Sequence, residues 1–349
     1  MTYPSLDTPS AIVDLDLLAA NIHRLQAYLD THGIANRPHI KTHKIPAIAQ
    51  MQMDAGAVGI TCQKIGEAEV MADAGLTDIF IPYNIIGGTK LTRLTALARR
   101  VTLSVTADSA VVVRGLAEAA YRAGLEIPVL VECDLGGKRC GVQSPAQAAE
   151  LARIIARSPG LTFGGLMTYP NTDALDAFVR ETRALLEPEH LPVPRVSGGG
   201  TRGMFEAHTH AELTEHRAGM YVFGDRHLML AGATPLETVA FRVLTTVVSR
   251  PTSERGILDA GSKTLSSDLM GLEGYGYICE YPEAVIYGLS EEHAHVDFSA
   301  CARKPEIGER VTVLPNHVCP VTNLLDEVVG VRGGKVEGVW QVAARGKVK

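Results

Sequence analysis

Asn36-Arg37-Pro38-His39-Ile40-Lys41-Thr42-His43-Lys44 is the stretch from which the rest of the chain can be read. Pro38 to Lys41 reads as a short strand, and the apolar spacing after it, Ala47, Ile48, Met51 and Met53, opens a helix. A lysine at the carboxyl end of a strand in a strand–helix chain points into the mouth of an α/β scaffold, where active sites collect. An amine partly withdrawn from water can have a lowered pKa and form a Schiff base. Most lysines are solvated surface charges, so Lys41 becomes a catalytic candidate only through what surrounds it in the chain.

Outward from Lys41 the same unit repeats. Strand-like runs at residues 11–13, 38–41, 58–61, 79–82, 101–105, 128–132, 161–169 and 195–197 each precede a helix-periodic segment or, at the last, a glycine run. About eight strand–helix repeats within some 220 residues is the count of a (β/α)8 barrel, ahead of a doubly wound open sheet. From about residue 236 the pattern changes to strands separated by turn residues, at 239–248, 255–259, 283–286, 295–298, 310–314, 327–331 and 335–340. The expected organisation is a barrel over 8–234 and a mainly-β domain over 235–349, with residues 1–7 crossing over to join the second domain.

Bulk properties narrow the partners. The 349 residues carry a net charge of −6 and no basic run, which argues against nucleic acid or an anionic membrane as the main partner. No apolar run approaches the ~20 residues of a membrane helix, and no signal peptide is visible at the N-terminus. Six scattered cysteines without paired spacing fit reduced thiols in the cytoplasm. The expected partner is a small molecule.

Five further segments carry chemistry. Ser197-Gly198-Gly199-Gly200-Thr201 follows a strand, and backbone N–H groups in such a glycine run can approach a phosphate closely, with the Thr201 hydroxyl adding a donor. No lysine follows at the spacing of a Walker loop. Arg139, in a loop after the 128–132 strand, is a fixed cation suited to a phenolate or carboxylate, and Tyr169 ends another strand where it can stack on or hydrogen-bond to a ring. His317 and Cys319 lie in Pro315-Asn316-His317-Val318-Cys319-Pro320; read as extended, they point to one side and make half of a divalent-metal site, zinc favoured by the sulfur. His293 is a titratable candidate in the same domain.

Taken together these pieces resemble the fold-type III pyridoxal-phosphate enzymes, alanine-racemase-like, in the D-threonine aldolase and D-serine dehydratase branch. The resemblance spans nearly the whole chain: residues 37–44 look like the cofactor-lysine segment, 61–69 like the aldolase side of the branch, 197–201 like the phosphate loop, 217–225 like the segment closing the barrel and 336–346 like the aldolase C-terminus. It implies that Lys41 joins the cofactor covalently, that His39, Arg139, Tyr169, Tyr221 and the 197–201 loop contact it, and that His317 and Cys319 hold a divalent metal, Mn, Zn or Mg. Lys41, Tyr169 and His293 are the catalytic candidates. The family also implies a homodimer with β-domain residues completing a partner's site.

Two departures weigh on the reaction. The pattern His317-Val318-Cys319 is that of the dehydratases, whereas several aldolases place an aspartate as second ligand. Those aldolases also carry a histidine shortly after the tyrosine equivalent to Tyr169, and residues 170–176 offer none. The expectation is a D-β-hydroxy-α-amino acid aldolase giving glycine and an aldehyde. The alternatives are a D-serine or D-threo-3-hydroxyaspartate dehydratase giving a 2-oxo acid and ammonia, an amino-acid racemase, and a non-catalytic cofactor-binding protein.

Overall fold

The structure, a computed structural model, describes Tyr3 and residues 6–349. By chain contacts it divides into two compact units. One comprises 23–41, 46–219 and 347–349; the other comprises residues up to 22, 42–45 and 220–346.

The first unit is built on an eight-stranded parallel sheet. Its strands are Ala35–Asn36, Ile60–Thr61, Asp78–Asn84, Thr102–Ala107, Ile127–Cys133, Leu161–Thr168, Val196–Gly199 and Glu215–Arg217. The first and second of these meet through a parallel bridge between His39 and Thr61, with the Thr61 N–H donating to the Pro38 carbonyl at 2.8 Å, so the sheet closes on itself as a barrel. The expected count of eight holds, but its membership changes. Residues 10–14 leave the barrel, and Glu215–Arg217 takes a place in it.

The helices between these strands follow from periodicity and caps. Pro145–Arg157 starts with proline in its first turn, behind Ser144, whose hydroxyl accepts from the Gln147 N–H at 3.3 Å. It buries Ala148, Ala149, Leu151, Ala152 and Ile155 on one face. The Ile65–Asp73 helix is capped by the Glu67 carboxylate, which accepts from the N–H groups of Gln63 at 2.7 Å and Lys64 at 3.1 Å.

The second unit is mainly β. Ser10–Asp14, expected as a barrel strand, lies instead inside its sheet, antiparallel to Phe241–Ser249 and parallel to Glu327–Arg332. Ala11, Ile12 and Val13 are all buried, and Ile12 packs with Tyr3, Leu244, Val329 and Val331 in one cluster. Tyr3 also accepts at its carbonyl from the Arg310 guanidinium at 2.7 Å. Residues 1, 2, 4 and 5 of the expected crossover segment lie outside the described residues. Arg310–Leu314 forms as expected, and Tyr277–Ile278 pairs with it. Two short helices, Ser262–Leu265 and Val318–Leu324, stand where none was expected. Among the described residues no helix is long and apolar enough to cross a membrane.

Candidate active site

Lys41 sits in a tight Ile40–Thr42 turn immediately after the strand edge, not within the strand itself. His39 precedes it, buried, with Nε2 3.0 Å from the Gln63 side-chain oxygen and Nδ1 3.4 Å from the Lys41 N–H. Burial first, and the Lys41 charge second, hold the His39 pKa well below the usual imidazole range. His39 is therefore a neutral ring packed behind the lysine.

At the carboxyl end of the Leu161–Thr168 strand, Tyr169 is 45% exposed, and two cations converge on its ring. The Lys41 Nζ lies 6.0 Å from the ring centroid, and the Arg139 guanidinium carbon 5.0 Å from it. The loop bearing Arg139 is shaped by Asp134, whose carboxylate accepts from the N–H groups of Gly136 at 2.9 Å and Lys138 at 3.0 Å. A Cβ at Gly137 would lie 2.7 Å from the Tyr169 carbonyl, so that loop and Tyr169 approach as closely as backbone allows. Glu132, buried beneath, places a carboxylate oxygen 3.8 Å from Arg139. Burial pushes its pKa up to about 7, with Arg139 pulling the other way.

Below this mouth runs a buried ionic chain that the sequence did not disclose. Glu215 accepts from Arg37 Nε at 2.7 Å, from Arg195 at 3.4 Å and from the Ser197 hydroxyl at 2.5 Å. Arg217 donates to the same Ser197 oxygen at 2.5 Å and to the Thr168 carbonyl at 2.9 Å. Full burial lowers the Arg217 pKa to about 10.

The glycine run is organised differently from its sequence reading. The Ser197 hydroxyl is engaged inward. The Gly199 N–H donates to Asn171 Oδ1 at 2.8 Å and the Gly200 N–H to the Arg217 carbonyl at 3.0 Å. No acceptor for the N–H groups of Thr201, Arg202 or Gly203 is found among the described residues. The Thr201 hydroxyl accepts from the Gly219 N–H at 3.3 Å, which leaves its proton to donate elsewhere. Gly200 has φ +127, and the side a Cβ would occupy is open apart from the Tyr169 ring at 3.8 Å. Open donors over Thr201–Gly203 beside that space are backbone chemistry that suits an anion.

In the second unit His317 is the cap residue of the Val318–Leu324 helix and Cys319 lies in its first turn, so the extended geometry expected for the pair is replaced by a helix start. Pro320 is compatible with that because the first turn needs no proline N–H. His317 Nδ1 is 2.7 Å from Asp268, and Cys319 Sγ is 3.3 Å from the Thr42 hydroxyl. Burial would depress the His317 pKa, but Cys319, Asp268 and Asp225 lift it to about 9. Asp225 caps the helix start by accepting from the Val318 N–H at 3.1 Å. Among the described residues no third His, Cys, Asp or Glu completes a metal-ligating group. An imidazole and a sulfur in a field of carboxylates are nevertheless a donor set that suits a divalent cation.

The remaining expected residues belong to the second unit. Tyr221 is fully buried in a Met220–Val222 turn of the second unit. His293 is exposed, in the turn between Val285–Leu289 and Ala294–Asp297, its carbonyl accepting from the Ser290 N–H at 2.9 Å.

Residues 13–227 match the family model of the alanine racemase N-terminal domain, and residues 240–331 match that of a putative serine dehydratase domain. The chain belongs to the alanine-racemase-like family. Within it the chain falls in the D-threonine aldolase and D-serine dehydratase branch. It is 36% identical to a D-threonine aldolase of an Arthrobacter species, over 98% of this chain and 93% of that one. It is 33% identical to the D-threo-3-hydroxyaspartate dehydratase of Delftia sp. HT23, over 91% of this chain and 92% of that one. The crystal structure of D-threonine aldolase from Filomicrobium marinum superposes with a TM-score of 0.91 at 34% identity, covering 99% of this chain and 97% of that one. The family is that of pyridoxal-phosphate lyases and racemases, and the fold is its barrel plus a mainly-β domain.

Proposed function

We propose that the chain is a lyase dependent on pyridoxal phosphate and a divalent metal, cleaving D-threonine-like β-hydroxy-α-amino acids to glycine and an aldehyde. The observation that carries it is the placement of Lys41 and Arg139 against one exposed tyrosine ring at a barrel mouth. The choice of aldolase rests on the relatives, since identity is higher and coverage fuller toward the D-threonine aldolase than toward the dehydratase.

The residues fit the cofactor. Lys41 would hold it covalently, Thr201–Gly203 would donate to its phosphate, and Arg139 and Tyr169 would face its ring. His39, Ser197, Gly198, Gly199 and Gly200 act behind these, as packing and as the loop's frame, and Tyr221 belongs to the barrel-closing segment. When bound, the cofactor supplies an electron sink for the bond broken at Cα and the metal a Lewis acid for the β-hydroxyl.

The chain's own groups then have defined tasks. Arg139, always charged, orients an anionic oxygen. Glu132, with a pKa near 7, can hold or release a proton at working pH. His39 stays neutral and packs without adding charge. His317 and Cys319 would ligate the metal, water or substrate completing its shell. Thr42, whose hydroxyl lies 3.3 Å from Cys319 Sγ, is the residue after Lys41 in the chain. His293 is retained as a proposed proton-transfer group, and a cytoplasmic homodimer as the proposed working form.

A second reading, dehydration, is favoured by one observation. The His-x-Cys pattern is that of the dehydratases, and one solved structure is of a D-threo-3-hydroxyaspartate dehydratase cysteine-to-alanine mutant in the metal-free form. Incubation with D-threonine separates the two. Acetaldehyde and glycine support the proposal; 2-oxobutanoate and ammonia overturn it. Loss of turnover on EDTA treatment, restored by Mn, Zn or Mg, is expected, and full turnover without metal would favour a racemase.

A further inference from the structure

We infer that Asp268 is the positioning residue of the metal centre, fixing the His317 ring so that Nε2 is presented as the ligand atom. The inference rests on the reading above that His317 and Cys319 hold a divalent cation.

Asp268 lies 49 residues before His317, outside every segment singled out in the sequence, and one of its carboxylate oxygens is 2.7 Å from His317 Nδ1. A carboxylate accepts only, so in the neutral imidazole the proton resides on Nδ1 and the lone pair on Nε2. That is the arrangement by which a carboxylate commonly orients a metal-bound histidine and raises its basicity.

The loop carrying Asp268 is built to hold it there. Its second carboxylate oxygen accepts from the Met270 N–H at 3.1 Å, and its own N–H donates to the Ser266 hydroxyl at 3.2 Å. Ser266 and Met270 flank it with φ of 65° and 50°, a conformation costly for residues with a side chain. Such strain persists where surrounding contacts hold the backbone, and the Asn316 side chain donates to the Leu269 carbonyl at 3.4 Å. The Asn316 side chain donates to the Gly274 carbonyl at 2.7 Å, and Arg226 donates to the Glu273 carbonyl at 2.6 Å and to Asn316 Oδ1 at 3.0 Å. Asn316 is the residue before His317, so the loop and the imidazole are fastened to one frame. The Asp268 side chain is 43% exposed, so its replacement removes a contact without opening a cavity.

The test is direct metal binding to the cofactor-loaded enzyme stripped of metal, by titration calorimetry with Mn2+ and by the thiolate-to-cobalt absorption of Co2+. Asp268→Ala is expected to weaken both metals about 10–100-fold. At saturating Co2+ it should still develop the cobalt band, showing an intact site. Asp268→Asn, whose amide oxygen still accepts from Nδ1–H, should recover part of the affinity, and the cofactor's own absorption should stay unchanged in both variants. Wild-type affinity in Asp268→Ala overturns the inference, as does an equal loss in Asp268→Asn. His317→Ala keeps the two ideas apart: if it binds metal as tightly as wild type, the metal reading fails; if it loses metal while Asp268→Ala does not, only the positioning role fails.

Discussion

Glu132 lies beneath Arg139 with a carboxylate oxygen 3.8 Å from the guanidinium, yet burial outweighs that cation and holds the carboxyl pKa at about 7. The folded value exceeds that of an unfolded glutamate, so the native chain binds more protons between the two. The stability this group contributes is complete below about pH 4.3 and is lost as pH rises through about 7, by roughly 3–4 kcal/mol at full ionisation. Glu132→Gln removes the titration. Its melting temperature should gain on wild type steadily from pH 5 to 8, and a difference independent of pH would refute the assignment.

Glu215 behaves in the opposite sense. Burial would raise its pKa, but Arg37 and Arg195 hold it below the usual carboxylate range. Its contribution is therefore present above the unfolded value and lost as pH falls. Glu215→Ala leaves buried guanidinium groups without their counter-ion and should cost about 3–5 kcal/mol in urea unfolding. A loss under 1 kcal/mol would mean that water replaces the carboxylate.

Lys41→Ala should remove the visible absorption of bound pyridoxal phosphate and lower kcat by on the order of 1000-fold or more. A persistent band would show that another amine holds the cofactor.

Gly198→Ala tests the glycine-rich loop. A Cβ there would collide with Asn171 Oδ1, which accepts the Gly199 N–H. The variant should fold and lose pyridoxal phosphate on dialysis faster than wild type. Retention equal to wild type would mean that the loop bears no weight in phosphate binding.

Tyr169 was readable because it ends a strand of clear period and Arg139 because it sits in a short glycine-rich loop, whereas Lys41 falls in a turn past the strand edge. Arg139, Tyr169 and Lys41 do meet around one ring. The strand at residues 10–14 was not readable as part of the other sheet. Ala11-Ile12-Val13 followed by a long helix has the local pattern of a barrel strand, and only pairing with residues more than 200 positions away decides otherwise. Glu215–Arg217 was missed as a strand because its side chains are charged or titratable, and they are buried only because Arg37, Arg195 and Ser197 meet them there. Cys319 before a proline reads as extended, but a proline in the first turn of a helix is equally satisfied. Asp268 left no sequence signal at all, since its role depends on a contact made across two loops.

The strand at 10–14 also imposes an order of events during synthesis. Its neighbours are residues 241–244 and 329–331, so this segment leaves the ribosome more than 200 residues ahead of either partner. The barrel strands between them can close while that segment waits with two open edges. A nascent chain stalled before residue 241 would carry the barrel strands and an unpaired apolar ribbon, a form open to capture by chaperones or to self-association.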